Sequence, residues 1–398
     1  MKKGKSSLAI TAVLALCLQW VYFRFWGAPL SAPWNAILPG IAIFAASFLL
    51  SWGAELAQFY IPRSLAIAFL ALIAVLPEYA VDMYFAWQAG KHPRYIHYAT
   101  ANMTGANRLI IGLGWATVVF AYLFRSKKSE VRLETTNRTE LFALTLATLY
   151  CFIIPFKHSL TLVDTFFLLG IFGWYLYQAS RSHHEEPELE GPIAFLADWP
   201  SRRRLAITLL FFLFSGFMIF ICAEPFAEGL LATGRHLKID EFILVQWLAP
   251  LASESPEFIV AILFALKQRA DSSIGALISS TVNQWTLLIG MLPLVYAISG
   301  GHLGVMPLDG RQAEEIFLTA AQSLLAVVIL ANWSFGLWEA VLLLGLFATQ
   351  LCITVTWVRV VYAVAYVVLS FGYLFLRPYR RSLIDLLTHG WRSSPPAS

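Results

Sequence analysis

About twelve runs of roughly 20 apolar residues follow one another along this chain, and no other feature narrows its fold as far. A run of that length crosses a hydrocarbon core of about 30 Å as a helix. In lipid, only helices and closed barrels satisfy their own backbone polar groups. Composition agrees: 59% of the 398 residues are hydrophobic and 13% are charged, where a soluble domain carries about 25%. The sequence predicts an all-α polytopic membrane protein whose first partner is the lipid bilayer. Hydropathy places the spans at about 7–25, 36–59, 64–89, 96–124, 139–156 and 160–179. The second series is about 204–232, 241–266, 272–299, 312–332, 335–356 and 359–377.

The first run follows Lys2, Lys3 and Lys5 and ends in Trp20, Tyr22, Phe23, Arg24 and Trp26. That aromatic cluster fits a membrane-interface belt, so the run reads as an anchored span rather than a cleaved signal peptide. With a cytoplasmic N-terminus, about 19 Lys and Arg fall inside and about 8 outside, Arg359 being counted outside. The bias predicts both termini in the cytoplasm of an inner or plasma membrane. Arg108 is then the one basic residue left at membrane depth. The loop 180–203, with His183, His184, Glu185 and Glu186 before Arg202, Arg203 and Arg204, reads as a solvated linker with a positive-inside anchor rather than a metal sensor. The tail after Arg377 reads as disordered.

Two Pro-Glu pairs interrupt apolar runs, Pro77-Glu78 and Pro256-Glu257. At an offset of 179, PEYAVDMYFAW and PEFIVAILFAL share Pro, Glu, Val, Phe and Ala at matching places. A second pair, Glu55 in Gly53-Ala54-Glu55-Leu56-Ala57 and Glu228 in Phe226-Ala227-Glu228-Gly229-Leu230, precedes each element in the same order. The spans thus sort into two groups of five. The expected organisation is 1–33 (stub and extra helix), 34–180 (first five-helix repeat), 181–203 (cytoplasmic loop), 204–357 (second repeat) and 358–398 (last helix and tail). Elements five helices apart run in opposite directions, so the repeats are expected to be inverted, with a site near the midplane.

A proline inside a helix removes one amide donor and strands carbonyl oxygens, and a carboxylate at membrane depth costs about 2.5–3.5 kcal/mol. Together they offer hard oxygen ligands, which suit Ca²⁺ and Na⁺. Asp82 lies four residues beyond Glu78, on the same helix face. The second half has Ala261 there but carries Ser253, Glu254 and Ser255 before its proline. The bland alternative for each acid is a helix–helix hydrogen bond or an interfacial position. Glu55 and Glu228 are candidate access-path acids, or snorkelling residues. No G-x-x-x-x-G-K-[ST], G-x-S-x-G or H-E-x-x-H sequence is present, so neither a nucleotide partner nor an enzyme is indicated. Nothing points to nucleic acid or to a tightly bound cofactor. The four cysteines sit in apolar runs as small helix residues.

These elements resemble the Ca²⁺/cation antiporter superfamily of sodium/calcium exchanger type, in which G-T-S-x-P-E is followed by G-S-N-x-x-N. Here the first element reads Ile73-Ala74-Val75-Leu76-Pro77-Glu78, then Gly105-Ala106-Asn107. The second reads Ala252-Ser253-Glu254-Ser255-Pro256-Glu257, then Ser279-Ser280-Thr281 and Gln284. The resemblance implies ten core helices in two inverted halves, with Glu78 and Glu257 as central ligands and Ser253 and Asn107 as supporting donors. It implies a secondary-active antiporter exchanging Ca²⁺, or a related inorganic cation, for Na⁺ or H⁺ by alternating access. Na⁺/H⁺ exchange without Ca²⁺, a passive channel and a non-transporting scaffold are the competing functions. Ala74, Val75, Ile110 and Thr281 depart from the pattern and remove side-chain oxygens. Arg108 departs most: it could pair with Glu78, Asp82 or Glu257 as a surrogate for one transported cation, or form a structural ion pair.

Overall fold

The structure, a computed structural model, describes residues 3–28, 30–60, 75–128, 130–133, 137–181, 191–196, 198–351, 353 and 355–391. Helices α1 (Lys3–Phe25), α2 (Ala32–Ala57) and α3 (Leu76–Lys91) come first. After them α4 (Ile96–Leu109) runs through a π-helical turn (Ile110–Trp115) into α5 (Ala116–Ser126). Strand β1 (Glu130–Arg132), α6 (Arg138–Cys151), α7 (Ile153–Lys157), β2 (Ser159–Leu160) and α8 (Leu162–Arg181) close the first half. The second half opens with α9 (Ser201–Leu237), α10 (Glu241–Leu266) and α11 (Ala270–Asn283), which passes through a π-helical turn (Gln284–Leu288) into α12 (Ile289–Gly300). Then come β3 (Met306–Pro307), α13 (Gly310–Leu330), β4 (Ser334–Gly336), α14 (Leu337–Gln350), α15 (Thr356–Phe375) and α16 (Arg377–His389).

Among the described residues, nine helices are long and apolar enough to cross a membrane, and a tenth if the pieces Glu241–Ser255 and Glu257–Leu266 of α10 count as one broken span. Two of the twelve expected spans account for the difference. Residues 61–74, which include most of the start of the third span, lie outside the described residues. The eleventh is α14, whose 14 residues reach about 21 Å, short of the bilayer core.

The chain forms two compact units. One holds residues 1–84 and 179–256, with α1, α2, α9 and the first parts of α3 and α10. Its axis is the packing of α2 along α9. Gly229 brings the α9 backbone so near α2 that a Cβ there would lie 2.4 Å from the Asn35 carbonyl oxygen. On the outer side of α2, α1 is tied by Gln19, whose Nε2 donates to the Leu38 carbonyl at 2.8 Å.

The other unit holds residues 85–178 and 257–398. At its centre α13 packs on α4, α6 and α15. A capping box starts α13: the Gln312 amide donates to Asp309 Oδ1 (2.8 Å) and the Asp309 amide to Gln312 Oε1 (3.0 Å). Two short antiparallel ladders bind the ends of the helices, β1 to β4 and β2 to β3. Since α6 and α7 join β1 to β2 while α13 joins β3 to β4, these two connections lie side by side, pinned at both ends. At Gly112 and Gly114 neighbouring side chains approach the backbone closely: a Cβ would meet Phe347 at 2.4 Å and Phe258 at 2.8 Å.

Two expectations are corrected. The tail after Arg377 is helical through His389, because its spacing puts Leu386 and Tyr379 on one buried or half-buried face. Residues 392–398 lie outside the described residues. In the 180–203 loop, residues 182–190, with the His-Glu cluster, lie outside them too. Residues 191–196 form a 3-10 turn that buries Ile193 and Leu196, so that part is packed rather than solvated.

Candidate cation site

In the first unit the acids gather on α3. Pro77 lies in the first turn of α3, where a missing amide proton breaks no helical bond, and Glu78 shares that turn at the positive end of the helix dipole. Glu78 is 1% exposed and Asp82, one turn on, is 0%. Residues 73 and 74 of this element lie outside the described residues. Tyr84, on another face of α3, donates its hydroxyl to Glu228 Oε1 at 2.9 Å, tying α3 to α9. Glu228 and Glu55 are half-buried. On α10, Glu254 is buried, and the buried Ser253 hydroxyl bonds back to the carbonyls of Ala249 (3.2 Å) and Pro250 (3.3 Å).

In the second unit the polar element is α4 with its π-helical turn. Asn107 is wholly buried; its Nδ2 donates to the Met103 carbonyl at 3.1 Å, which turns Oδ1 away from the helix. Oδ1 has no hydrogen-bond partner among the described residues, and neither have the buried Asn102 Oδ1 and Ser280 Oγ. A buried acceptor left unsatisfied costs about 1–3 kcal/mol, so each of them marks a place where something else can supply the positive end. Asn102 was not singled out from sequence; an asparagine inside an apolar span was the available signal. Both π-helical turns begin at one register: Ile110 follows Gly105 as Gln284 follows Ser279. Such turns inside helices recur at functional sites. Glu257 is half-buried at the start of its helical piece. No group of three or more His, Cys, Asp or Glu side chains is placed to hold a metal by itself among the described residues. Amide, hydroxyl and carbonyl oxygens would then complete any cation's shell.

Arg108 points elsewhere than into an anion-poor core. Its guanidinium meets Glu315 on α13 at 2.5 Å, and both side chains are buried. Gln322, two turns along α13, donates to the Arg108 carbonyl at 3.2 Å. Glu315 also accepts from Arg359 at 2.8 Å, and Arg359 reaches Glu314 at 3.3 Å. Gln350 links this cluster to Tyr366, donating to its hydroxyl at 3.2 Å. Arg359, counted on the outer side of the membrane from sequence, is buried at the start of its helix, 4% exposed. Helix α15 starts at Thr356, three residues before the expected span, and draws Arg359 into its first turn against α13. Glu314 and Glu315 were missed; two acids opening an apolar span call for buried cations, and that was the signal.

A sequence profile described as sodium/calcium exchanger protein matches residues 31–180 and again residues 207–356. The chain belongs to the sodium/calcium exchanger family. A crystal structure of an H⁺/Ca²⁺ exchanger, CAX, is 44% identical and superimposes with a TM-score of 0.93, covering 98% of each chain. The sodium–calcium exchanger NCX_Mj, soaked with Na⁺ and Sr²⁺, gives a TM-score of 0.54 over 81% of this chain and 99% of its own. At 16% identity that likeness concerns the fold alone. A protein named as a candidate antiporter, CaxA of Alkalimonas amylolytica, is 25% identical over 153 residues, 38% of this chain. The match spans about half of that relative, 46% of its length. Membership in this exchanger family makes the chain an integral membrane protein of antiport, with inorganic cations as substrates.

Proposed function

We propose that this exchanger moves Ca²⁺ against H⁺ across the cell membrane by alternating access, with Glu78 and Glu257 as the central ligands. The observation that carries the choice of ions is the 44% identity, over 98% of both chains, with a protein described as an H⁺/Ca²⁺ exchanger. The chemistry is consistent with it. A carboxylate holds either a proton or a share of a divalent cation, and that exclusivity couples the two flows. Asp82, Ser253, Glu254 and Asn107 supply further oxygens, with Asn107 Oδ1 supported by its lack of any hydrogen-bond partner among the described residues. Glu55 and Glu228 stand along the access path. Arg108 serves as a structural ion pair rather than a surrogate cation, a role favoured by its contact with Glu315.

Inversion of the repeats is part of this proposal. The loops holding β1 and β3 follow equivalent helices, α5 and α12, and those holding β2 and β4 are equivalent likewise. The pairing is crossed, β1 with β4 and β2 with β3, which supports equivalent loops facing opposite sides. Both termini are then cytoplasmic, given the excess of basic residues there.

Radiolabelled Ca²⁺ uptake into proteoliposomes tests the function. An imposed pH gradient drives uptake, a Na⁺ gradient alone does not, and Glu78→Gln and Glu257→Gln each lower it by about tenfold or more. Ca²⁺ flux that persists without an opposing gradient overturns antiport in favour of a channel.

A further inference from the structure

The last described helix carries a surface that the exchange reaction does not use. After the spanning helix α15 ends at Phe375, Leu376 breaks the helix (φ −77°, ψ 125°) and α16 begins at once. Its position at the mouth of a membrane span places it at the bilayer boundary. One face docks on the second unit. Leu386 is fully buried there, and Gly390 sits so close to Phe142 that a Cβ would lie 2.5 Å from its ring. Tyr379 donates to Glu339 Oε1 at 2.7 Å, Arg138 pairs with Asp385 at 2.5 Å, and Gln178 donates to the Trp391 carbonyl at 3.0 Å. Burial and the Glu339 carboxylate push the Tyr379 phenol above its ordinary range, so it stays a donor at all physiological pH. These bonds fix the rotation of α16 about its axis.

The opposite face is therefore fixed too. At 100° per residue, Arg377, Arg380, Arg381, Ile384, Leu387 and Trp391 fall within an arc of about 120°. All six are exposed. The arginines fill the turns nearest the membrane span, and the apolar side chains follow, with Ile384 and Trp391 each more than half exposed. A stripe of exposed cations next to an exposed Ile384-Leu387 edge, on a helix rooted at the end of a span, matches one environment. Anionic headgroups meet the guanidinium groups while the apolar edge sinks into the headgroup–acyl boundary.

We propose that this stripe of α16 is a contact site for anionic lipid, holding the helix on the leaflet at which α15 ends. Three basic side chains at an anionic surface amount to on the order of a hundredfold preference for the seated helix over the free one.

The test uses the full chain with Leu387→Cys and Cys352→Ser, labelled with a polarity-sensitive fluorophore; Cys17, Cys151 and Cys222 are buried and leave the label specific. The protein is reconstituted in phosphatidylcholine vesicles with and without phosphatidylglycerol. With phosphatidylglycerol, the label is quenched by lipid-borne nitroxide and protected from aqueous iodide. Exchanging Arg377, Arg380 and Arg381 for Gln, or raising the salt, reverses both effects, while Ca²⁺ uptake in each vesicle reports that the protein is folded. Three results overturn the proposal. The label is open to iodide in both lipids, or it is hidden from both quenchers, as a second protein copy would hide it. Or lipid quenching is the same with and without anionic lipid and is indifferent to the arginines.

Discussion

A single arginine at membrane depth shows how residue chemistry divides between legible and hidden. Arg108 declared itself from sequence, since a guanidinium in an apolar run demands a carboxylate. Its partner did not. Glu315 reads as one more acid near the end of a span, and only packing of α4 against α13 makes the pair. Burying such a pair gains little over an apolar pair, but breaking it leaves an uncompensated charge. Arg108→Ala is expected to cost about 3–5 kcal/mol, read as a fall in the unfolding midpoint of detergent-purified protein. Arg108→Met with Glu315→Met is expected to recover part of that loss. In whatever Arg108→Ala protein still transports, the coupling ratio between the exchanged ions stays unchanged; an altered ratio would restore the surrogate-cation role. The same division holds for Asn107 and Asn102. Polar residues in an apolar span are visible in the sequence, but which oxygen is left without a partner depends on the rotamer the neighbouring turn imposes.

At the scale of elements, glycine decides how near two helices come. In α9, Gly229 faces the Asn35 backbone of α2, while Gly216, four turns earlier, has nothing within 4 Å of where a Cβ would sit. Backbone cannot swing aside as a side chain can. Gly229→Ala is expected to destabilise the protein by about 1–3 kcal/mol and to lower Ca²⁺ uptake, whereas Gly216→Ala should leave both unchanged. Thermal unfolding of the two variants in one detergent checks the contrast, and equal behaviour would mean that α2 and α9 are not in close contact. The sequence marks both glycines alike, because spacing alone does not say which side of a helix meets another. The π-helical turns were equally hidden. Their residues keep helical composition, and the widened turn is a consequence of packing around Gly112 and Phe347 in one half and Trp285 with Ser323 in the other, the indole donating at 2.7 Å.

The whole molecule turns on duplication. If the halves are inverted, equivalent loops open on opposite sides of the membrane. Lys128 stands before β1 and Leu303 before β3, and both are exposed. Lys128→Cys should react with a membrane-impermeant maleimide only from the cytoplasmic side, and Leu303→Cys only from the other. Labelling of both from one side would rule inversion out.

Sequence alone determined the solvent of this protein, because a long apolar run has nowhere to go but lipid. It also determined the duplication, because two proline–carboxylate elements in register are too costly to arise as background. Tertiary structure alone decided which charges neutralise one another, which loops pair and which face of the final helix is left outward. Those outcomes depend on contacts between residues far apart in the chain, such as Arg359 with Glu315 and Arg138 with Asp385, and a linear pattern carries no record of distance.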